Sequence, residues 1–592
     1  MRVSDYIINK IYSLNVTHIF MVTGRGALFL TDAIAAHKKI KGVSMHHEQA
    51  ASYAAVAYAE YTNNLGVCMV STGCAATNAL TGVLNSWQDG IPCLFISGQN
   101  KLQETTRFTG VPIRTYGQQE ADIIPIVDPI TKYSVMITDP KDIVYELEKA
   151  LFIAKIGRKG PVWIDIPLDI QNMRIEPDKL DSFIPRLGSD YNTSIDDTKY
   201  VSQLLKIAKR PVVLIGSGIR SASAIKELED FQEKYEIPLV YSASAPDVYG
   251  LNNTLSIGSV GIMGCSRAGS FTVQNSDLIL VLGCRLSSMT TGDFCKFGRD
   301  AKTVVVDIDQ IEHSKNLNNI DRLIVSDVKS FLILMMNEKV KKTNEKWKNK
   351  CLHWKNIFPK CEDKYKRSNK VDLYYLSECL SKILPHNSIF LSDSGLVELI
   401  LPTNMSFDKS QRCIHPVSQG AMGVALPALI GAYFASNFPV IAVIGDGSIM
   451  MNLQELETIS YNNIPAKIFV INNNAYAVIR KRQVEMFRSR TIGTDPSDGI
   501  SCPDFEKVSS SFNINYIRIE TSSNLMSSLQ SVIDMDGPVL CEIIGLEDQG
   551  YTSCGHARDK NKQIVNRPIE DQKPYLDREL FLSEMIIEPI DQ

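Results

Sequence analysis

A chain of 592 residues exceeds what one hydrophobic core organises, and it predicts three domains of ordinary size. Its 44% hydrophobic and 22% charged residues are those of a globular protein, and 62 basic against 66 acidic residues give no electrostatic case for nucleic acid or an acidic membrane. No apolar stretch is long enough to span a bilayer, the amino terminus lacks a signal-peptide core, and 13 scattered cysteines carry no metal-ligand spacing; together these predict a cytoplasmic protein with reduced core thiols such as Cys68, Cys93, Cys284 and Cys541.

In chain order, residues 1–175 open on an amphipathic helix, MRVSDYIINKIYSLNVTHIF, and alternate helical patterns with the apolar runs Ile19–Val22, Val67–Ser71, Leu94–Ser97 and Val162–Ile166. That rhythm predicts a doubly wound parallel sheet. Gly73, in STGCAATN, ends one strand and opens a helix, where a ligand can sit. Upstream, Glu48 leads into AASYAAVAYAEY, whose alanines permit close packing against a neighbour. A lone Glu there is most often a cap or a solvated residue. Residues 171 to about 190, rich in charge, Pro and Ser, read as a linker.

Residues 190–340 form a second α/β segment. The strand Val212–Ile215 ends in Gly216-Ser217-Gly218, and Leu278–Leu282 and Val304–Ile308 follow as further strands. The sign-alternating stretch NEKVKKTNEKWKNK predicts a solvated helix leading into the third segment, 365–560. There Val440–Ile444 is a buried strand stopping at Gly445-Asp446-Gly447, and residues 452–461 look helical. A second strand, Lys467–Ile471, ends in Asn472-Asn473-Asn474. One Asp, one Asn, a backbone carbonyl and two phosphate oxygens make the oxygen octahedron that Mg²⁺ prefers, so these strand ends read as a metal-bridged diphosphate anchor. An ordinary Gly turn beside an Asn-rich loop is the plainer alternative. Residues 561–592 show little apolar period and read as a surface tail or a lid.

The paired GDG and NNN strand ends resemble the thiamine diphosphate signature. With FMVTGRGALFLTDAI, HHEQAASYAAVAYAE, CMVSTGCAATNALTG, GPVWIDIPLDIQ, RPVVLIGSG, DLILVLGCR and QGAMGVALPALIGA in the same order, nearly the whole chain resembles the large subunit of acetolactate synthase and its relatives. The resemblance implies an α/β fold of three doubly wound parallel-sheet domains: pyrimidine-binding, central FAD-binding-like and diphosphate-binding. It implies Mg²⁺ on Asp446, Asn473 and the Ala475 carbonyl. It also implies a thiamine diphosphate site including Thr23, Gly24, Gly73, Asn78, Gly395, Gly420, Met422, Gly445, Gly447 and Ser448, and FAD at Gly216, Gly218, Arg285, Asp307 and Asp327. Glu48 is the implied carboxyl that protonates the aminopyrimidine from a dry pocket, with Gln119 beside the chemistry and Met422 bending the cofactor. Sites completed between chains imply a homodimer or homotetramer.

The implied reaction decarboxylates pyruvate and passes its two-carbon unit to a second carbonyl. Several positions depart from acetolactate synthases. Their FDDR, whose last Arg faces the acceptor carboxylate, is Leu286-Ser287-Ser288-Met289 here; a Trp is Arg482; GQHQ is Gly395-Leu396-Val397-Glu398; and a Phe is Gln118. Loss of the cation at Met289 predicts an acceptor without a carboxylate, such as a nucleotide-linked keto-deoxysugar, with acetolactate synthesis as the alternative and C–C hydrolysis or oxalyl thioester cleavage behind both.

Overall fold

Strands Gly66–Val70, Cys93–Gln99, Pro211–Ile215 and Leu278–Leu282 bury every residue. Unalternating aliphatic runs require this, because helices then cover both faces of a parallel sheet. The computed structural model describes residues 1–185, 191–250, 253–558 and 563–590, and it contains three six-stranded parallel sheets flanked by helices. The α/β class expected from the sequence is the fold observed. Among the described residues no helix is long and apolar enough to cross a membrane.

The first sheet runs Lys41–Ser44, His18–Met21, Gly66–Val70, Cys93–Gln99, Val162–Pro167, Tyr133–Met136. The third runs Arg412–Ile414, Ile389–Ser392, Val440–Gly445, Lys467–Asn472, Val539–Ile544, Asn515–Ile519 and so repeats the same strand order. The middle sheet differs: its first strand, Pro211–Ile215, lies between Leu239–Ser242 and Leu278–Leu282. In each sheet one pair of neighbouring strands sends its chain off in opposite directions, and the crevice beyond their carboxyl ends is where ligands collect. Those strand ends are Val22–Gly24 with Ser71–Gly73, Gly216–Gly218 with Gly283–Arg285, and Asp393–Gly395 with Asp446–Gly447.

The outer domains share one continuous core. Its seam is the alanine-rich helix Glu48–Thr62 against Ala425–Ser436, where a Cβ on Gly431 would overlap the Ala54 carbonyl. The expected neighbour of those alanines is therefore the third domain.

Three expectations need correction. The charged stretch is not a solvated helix: Glu345–Ile357 buries Trp347, Cys351 and Trp354 in the central domain's core, and Trp347 Nε1 donates to the Pro211 carbonyl at 2.8 Å. Trp347, Cys351 and Trp354 recur every third or fourth position among charged side chains, so the charge pattern hid the buried stripe. The carboxyl-terminal segment is not a free surface tail. Phe581 packs on Phe271, Glu584 accepts from Trp354 Nε1 at 2.9 Å, and Glu570 pairs with Arg299 at 2.8 Å, strapping it to the central domain. Residues 561, 562, 591 and 592 of that segment lie outside the described residues. Finally, all thirteen cysteines are free and the four named thiols are buried, but Cys74 and Cys295 are exposed.

Candidate active site

The aliphatic strand Val440–Gly445 delivers Asp446 to the sheet edge, where it is 3% exposed. Its Oδ1 accepts from the Gly447 N–H at 2.8 Å and its Oδ2 from the Asn474 N–H at 2.7 Å. Burial pushes this carboxyl up to about 6, against the pull of the surrounding backbone N–H groups. The parallel strand Lys467–Asn472 brings the Asn loop alongside. Asn472 turns into the sheet, donating to Glu542 Oε1 at 2.6 Å, while the buried Asn473 lies with Ala475 beside Asp446; Asn473 Oδ1 accepts the Ala475 N–H at 3.2 Å. Gly447 is required by its neighbour, since a Cβ there would overlap the Tyr476 ring.

The expected helix over 452–461 begins only at Glu455; a helical turn already starts at Asp446–Ile449. The N–H groups nearest the strand end are therefore those of Gly447 and Ser448. Facing them are Gly395, at φ +91 with no atom within 4 Å of where a Cβ would stand, and Gly420, at φ +59. That open, glycine-walled space beside a buried carboxylate with no cationic partner among the described residues fits a metal-bound diphosphate. Met422 is half-buried at the same loop rather than in the core.

Asp393, which the sequence reading passed over, organises this wall. Wholly buried, it accepts N–H bonds from Ser394 at 2.8 Å, Gly423 at 2.9 Å and Ala425 at 2.7 Å. Its position after the strand Ile389–Ser392, matching that of Asp446, was the available signal.

In the first domain Glu48 starts its helix and Asn78 Nδ2 donates to its Oε2 at 2.9 Å. Within one chain Glu48 is half-exposed, so the dry pocket expected for it is not formed by this chain alone. The neighbouring residues reach the third domain: the His46 N–H donates to Glu455 Oε1 at 3.1 Å, and Asn452 Nδ2 donates to Gln49 Oε1 at 3.2 Å. Gly73, at φ +61, abuts the Gln119 carbonyl, which any Cβ would overlap, while Gly24 is pressed on Ser71. Thr23, Gly24, Gly73, Gln118 and Gln119 thus share one crevice rim.

The central crevice opens into a cleft of about 440 Å³ lined by all three domains, Gly218, Arg285, Asp307 and Asp327 among its residues. Gly216 lies behind it, packed on the Gly283 carbonyl. Asp327 also caps the helix Val328–Met335, and Asp307 accepts the Asp309 N–H at 2.9 Å. A cation for phosphate, acids for ribose and a glycine turn fit a dinucleotide. Met289 lines this cleft; Gln118 does not, and Arg482 lies on the helix Ala477–Met486, none of whose residues is buried. Glu398 also faces the cleft, 3.8 Å from His415 Nδ1, and burial raises its pKa.

Comparison with known proteins matches the same three units. Residues 1–126 match the thiamine pyrophosphate enzyme N-terminal TPP binding domain, 198–335 the central domain, and 393–543 the C-terminal TPP binding domain. The acetolactate synthase large subunit of Cyanidium caldarium is 32% identical over 552 residues, covering 91% of this chain and 92% of that protein. Those of Corynebacterium glutamicum, at 31% (94% and 89% covered), and Haemophilus influenzae, at 29% (96% and 99% covered), are similar throughout. The chain belongs to the acetolactate synthase family of thiamine diphosphate-dependent enzymes.

Proposed function

We propose that this family member is a Mg²⁺- and thiamine diphosphate-dependent carboligase that decarboxylates pyruvate and joins the two-carbon unit to a second pyruvate, the reaction its relatives' name, acetolactate synthase, implies. The observation that carries it is the meeting of Asp446, Asn473 and Ala475 at two parallel strand ends, opposite the open space at Gly395 and Gly420. When bound, thiamine diphosphate supplies the electron sink for decarboxylation. Asp446, Asn473 and the Ala475 carbonyl would hold the metal, and the Ser448 N–H, beside a Gly447 N–H already given to Asp446 Oδ1, would face the diphosphate. Met422, half-buried at the Gly420 loop, would lie against the bound cofactor. Glu48, oriented by Asn78, would hold a proton at the pyrimidine nitrogen, and Gln119 would lie beside the reacting atoms. The central cleft would take FAD, with Arg285 available for phosphate and the acids for ribose.

A second reading keeps the same cofactor chemistry with a ketone acceptor that lacks a carboxylate, such as a nucleotide-linked keto-deoxysugar. Met289 favours it: a buried carboxylate deprived of its cation costs on the order of 2–5 kcal/mol. Gln118 and Arg482 are the polar groups that would then meet the acceptor. Purified protein with pyruvate, thiamine diphosphate and Mg²⁺ is expected to form acetolactate at low pyruvate. Product found only with an added neutral ketone selects the second reading, and no pyruvate consumption at all rejects both. A flavin spectrum on the purified protein tests the cleft.

The assembly we propose is at least a dimer. Ile479, Met486, Met450 and Met451 are between 41% and 68% exposed around the metal loop, and Glu48 lacks cover. A second copy laid on this face buries both. Light scattering is expected to show a dimer or tetramer; an active monomer contradicts it.

A further inference from the structure

Arg25 lies between two glycines in the loop after strand His18–Met21, and both glycines are pinned. A Cβ on Gly24 would overlap the Ser71 hydroxyl, and one on Gly26 would overlap the Thr72 hydroxyl. The Gly26 N–H donates to Ser71 Oγ at 3.1 Å, and its carbonyl accepts from Gln171 Nε2 at 2.6 Å. An exposed arginine therefore leaves a backbone that has nowhere to move.

Gln118, across the crevice, is held as firmly. Its carbonyl accepts from Asn100 Nδ2 at 2.9 Å, the Ala121 carbonyl accepts from Gln99 Nε2 at 3.0 Å, and Gly73 closes against Gln119 between them. Arg25 Nη1 donates to Gln118 Oε1 at 2.8 Å. That contact uses one of the guanidinium's five donors and turns the Gln118 amide so that its two N–H groups are also free to donate. Among the described residues no carboxylate pairs with Arg25. Arg25 and the Gln118 amide thus present donors and a positive charge side by side, which suits a ligand that accepts. A planar fork matches a carboxylate in two parallel bonds.

We propose that Arg25, braced by Gln118, binds the carboxylate of the acceptor 2-keto acid, supplying from the first domain the cation missing at Met289. This rests on the reading of the chain as an acetolactate-forming carboligase. It also removes the objection that Met289 raises to that reading, because the charge has moved to another element rather than vanished.

The test is acetolactate formation by the holoenzyme as pyruvate is varied. Arg25→Ala is expected to raise the pyruvate KM about 10- to 100-fold, the scale of a lost charge-assisted bond, with kcat at saturating pyruvate falling less. Arg25→Lys is expected to lie between the two, and millimolar guanidinium to restore part of the Arg25→Ala loss, which a merely structural defect would not allow. Should Arg25→Ala not fold, Gln118→Ala, which keeps the charge but frees it, is expected to raise KM by a smaller factor. A KM unchanged in Arg25→Ala or, where that variant does not fold, in Gln118→Ala, overturns the assignment while leaving the acetolactate reading intact. A wild-type enzyme that couples pyruvate only to neutral ketones overturns both, and is recognised without any variant.

Discussion

Asp446→Asn is expected to abolish Mg²⁺-supported thiamine diphosphate binding and to cost on the order of 10³-fold or more in activity, while making the cofactor-free protein more stable at neutral pH. The two effects share one cause. Asp446 is buried with backbone N–H partners but, among the described residues, no cation, and burial pushes its pKa up to about 6 from 3.8 for the free side chain. Because the folded value is raised, the unfolded chain loses this proton first. Stability of the cofactor-free protein therefore falls as pH rises from about 3.8 to about 6, and the full penalty, about 3 kcal/mol, is present above that window. Bound metal reverses the sign, since it needs the ionised carboxylate. Thermal unfolding with and without Mg²⁺ and cofactor checks the argument: the wild-type shift is expected to be large at pH 7.5 and small at pH 5, and absent at both in Asp446→Asn. A variant that still responds to Mg²⁺ and cofactor counts against Asp446 as the metal ligand.

Glu48→Gln is expected to lower kcat by about 10²- to 10⁴-fold, the range for a missing proton-transfer group, with metal and diphosphate binding kept within a few-fold. The amide preserves size and the bond to Asn78 while removing the acid. Asn78→Ala, which leaves the acid but releases its orientation, is expected to cost about tenfold. Full turnover in Glu48→Gln would remove the carboxyl from the reaction. Loss of cofactor binding as severe as in Asp446→Asn would make Glu48 an anchor instead.

The strands were readable because a parallel sheet covered on both faces needs uninterrupted aliphatic runs, and Leu278–Leu282 was found to the residue. Strand ends carrying Gly, Asp or Asn marked the candidate ligands for the same local reason. The helix Glu345–Ile357 misled because two tryptophans among eight charged or polar neighbours give a weak stripe, and burial depends on what lies opposite. The carboxyl-terminal strap misled likewise: its anchors, Phe581, Glu584 and Glu570, have meaning only against Phe271, Trp354 and Arg299.

Local chemistry thus determined which residues end strands and which of them can hold a metal or a proton, since those properties belong to a few consecutive side chains. Only the tertiary structure decided which strand ends face one another, that Asp393 rather than a helix braces the diphosphate wall, and that Arg25 meets Gln118. Strand order and the overlap of glycines with distant backbone are set by packing between segments far apart in the chain, and no short window of sequence contains both partners.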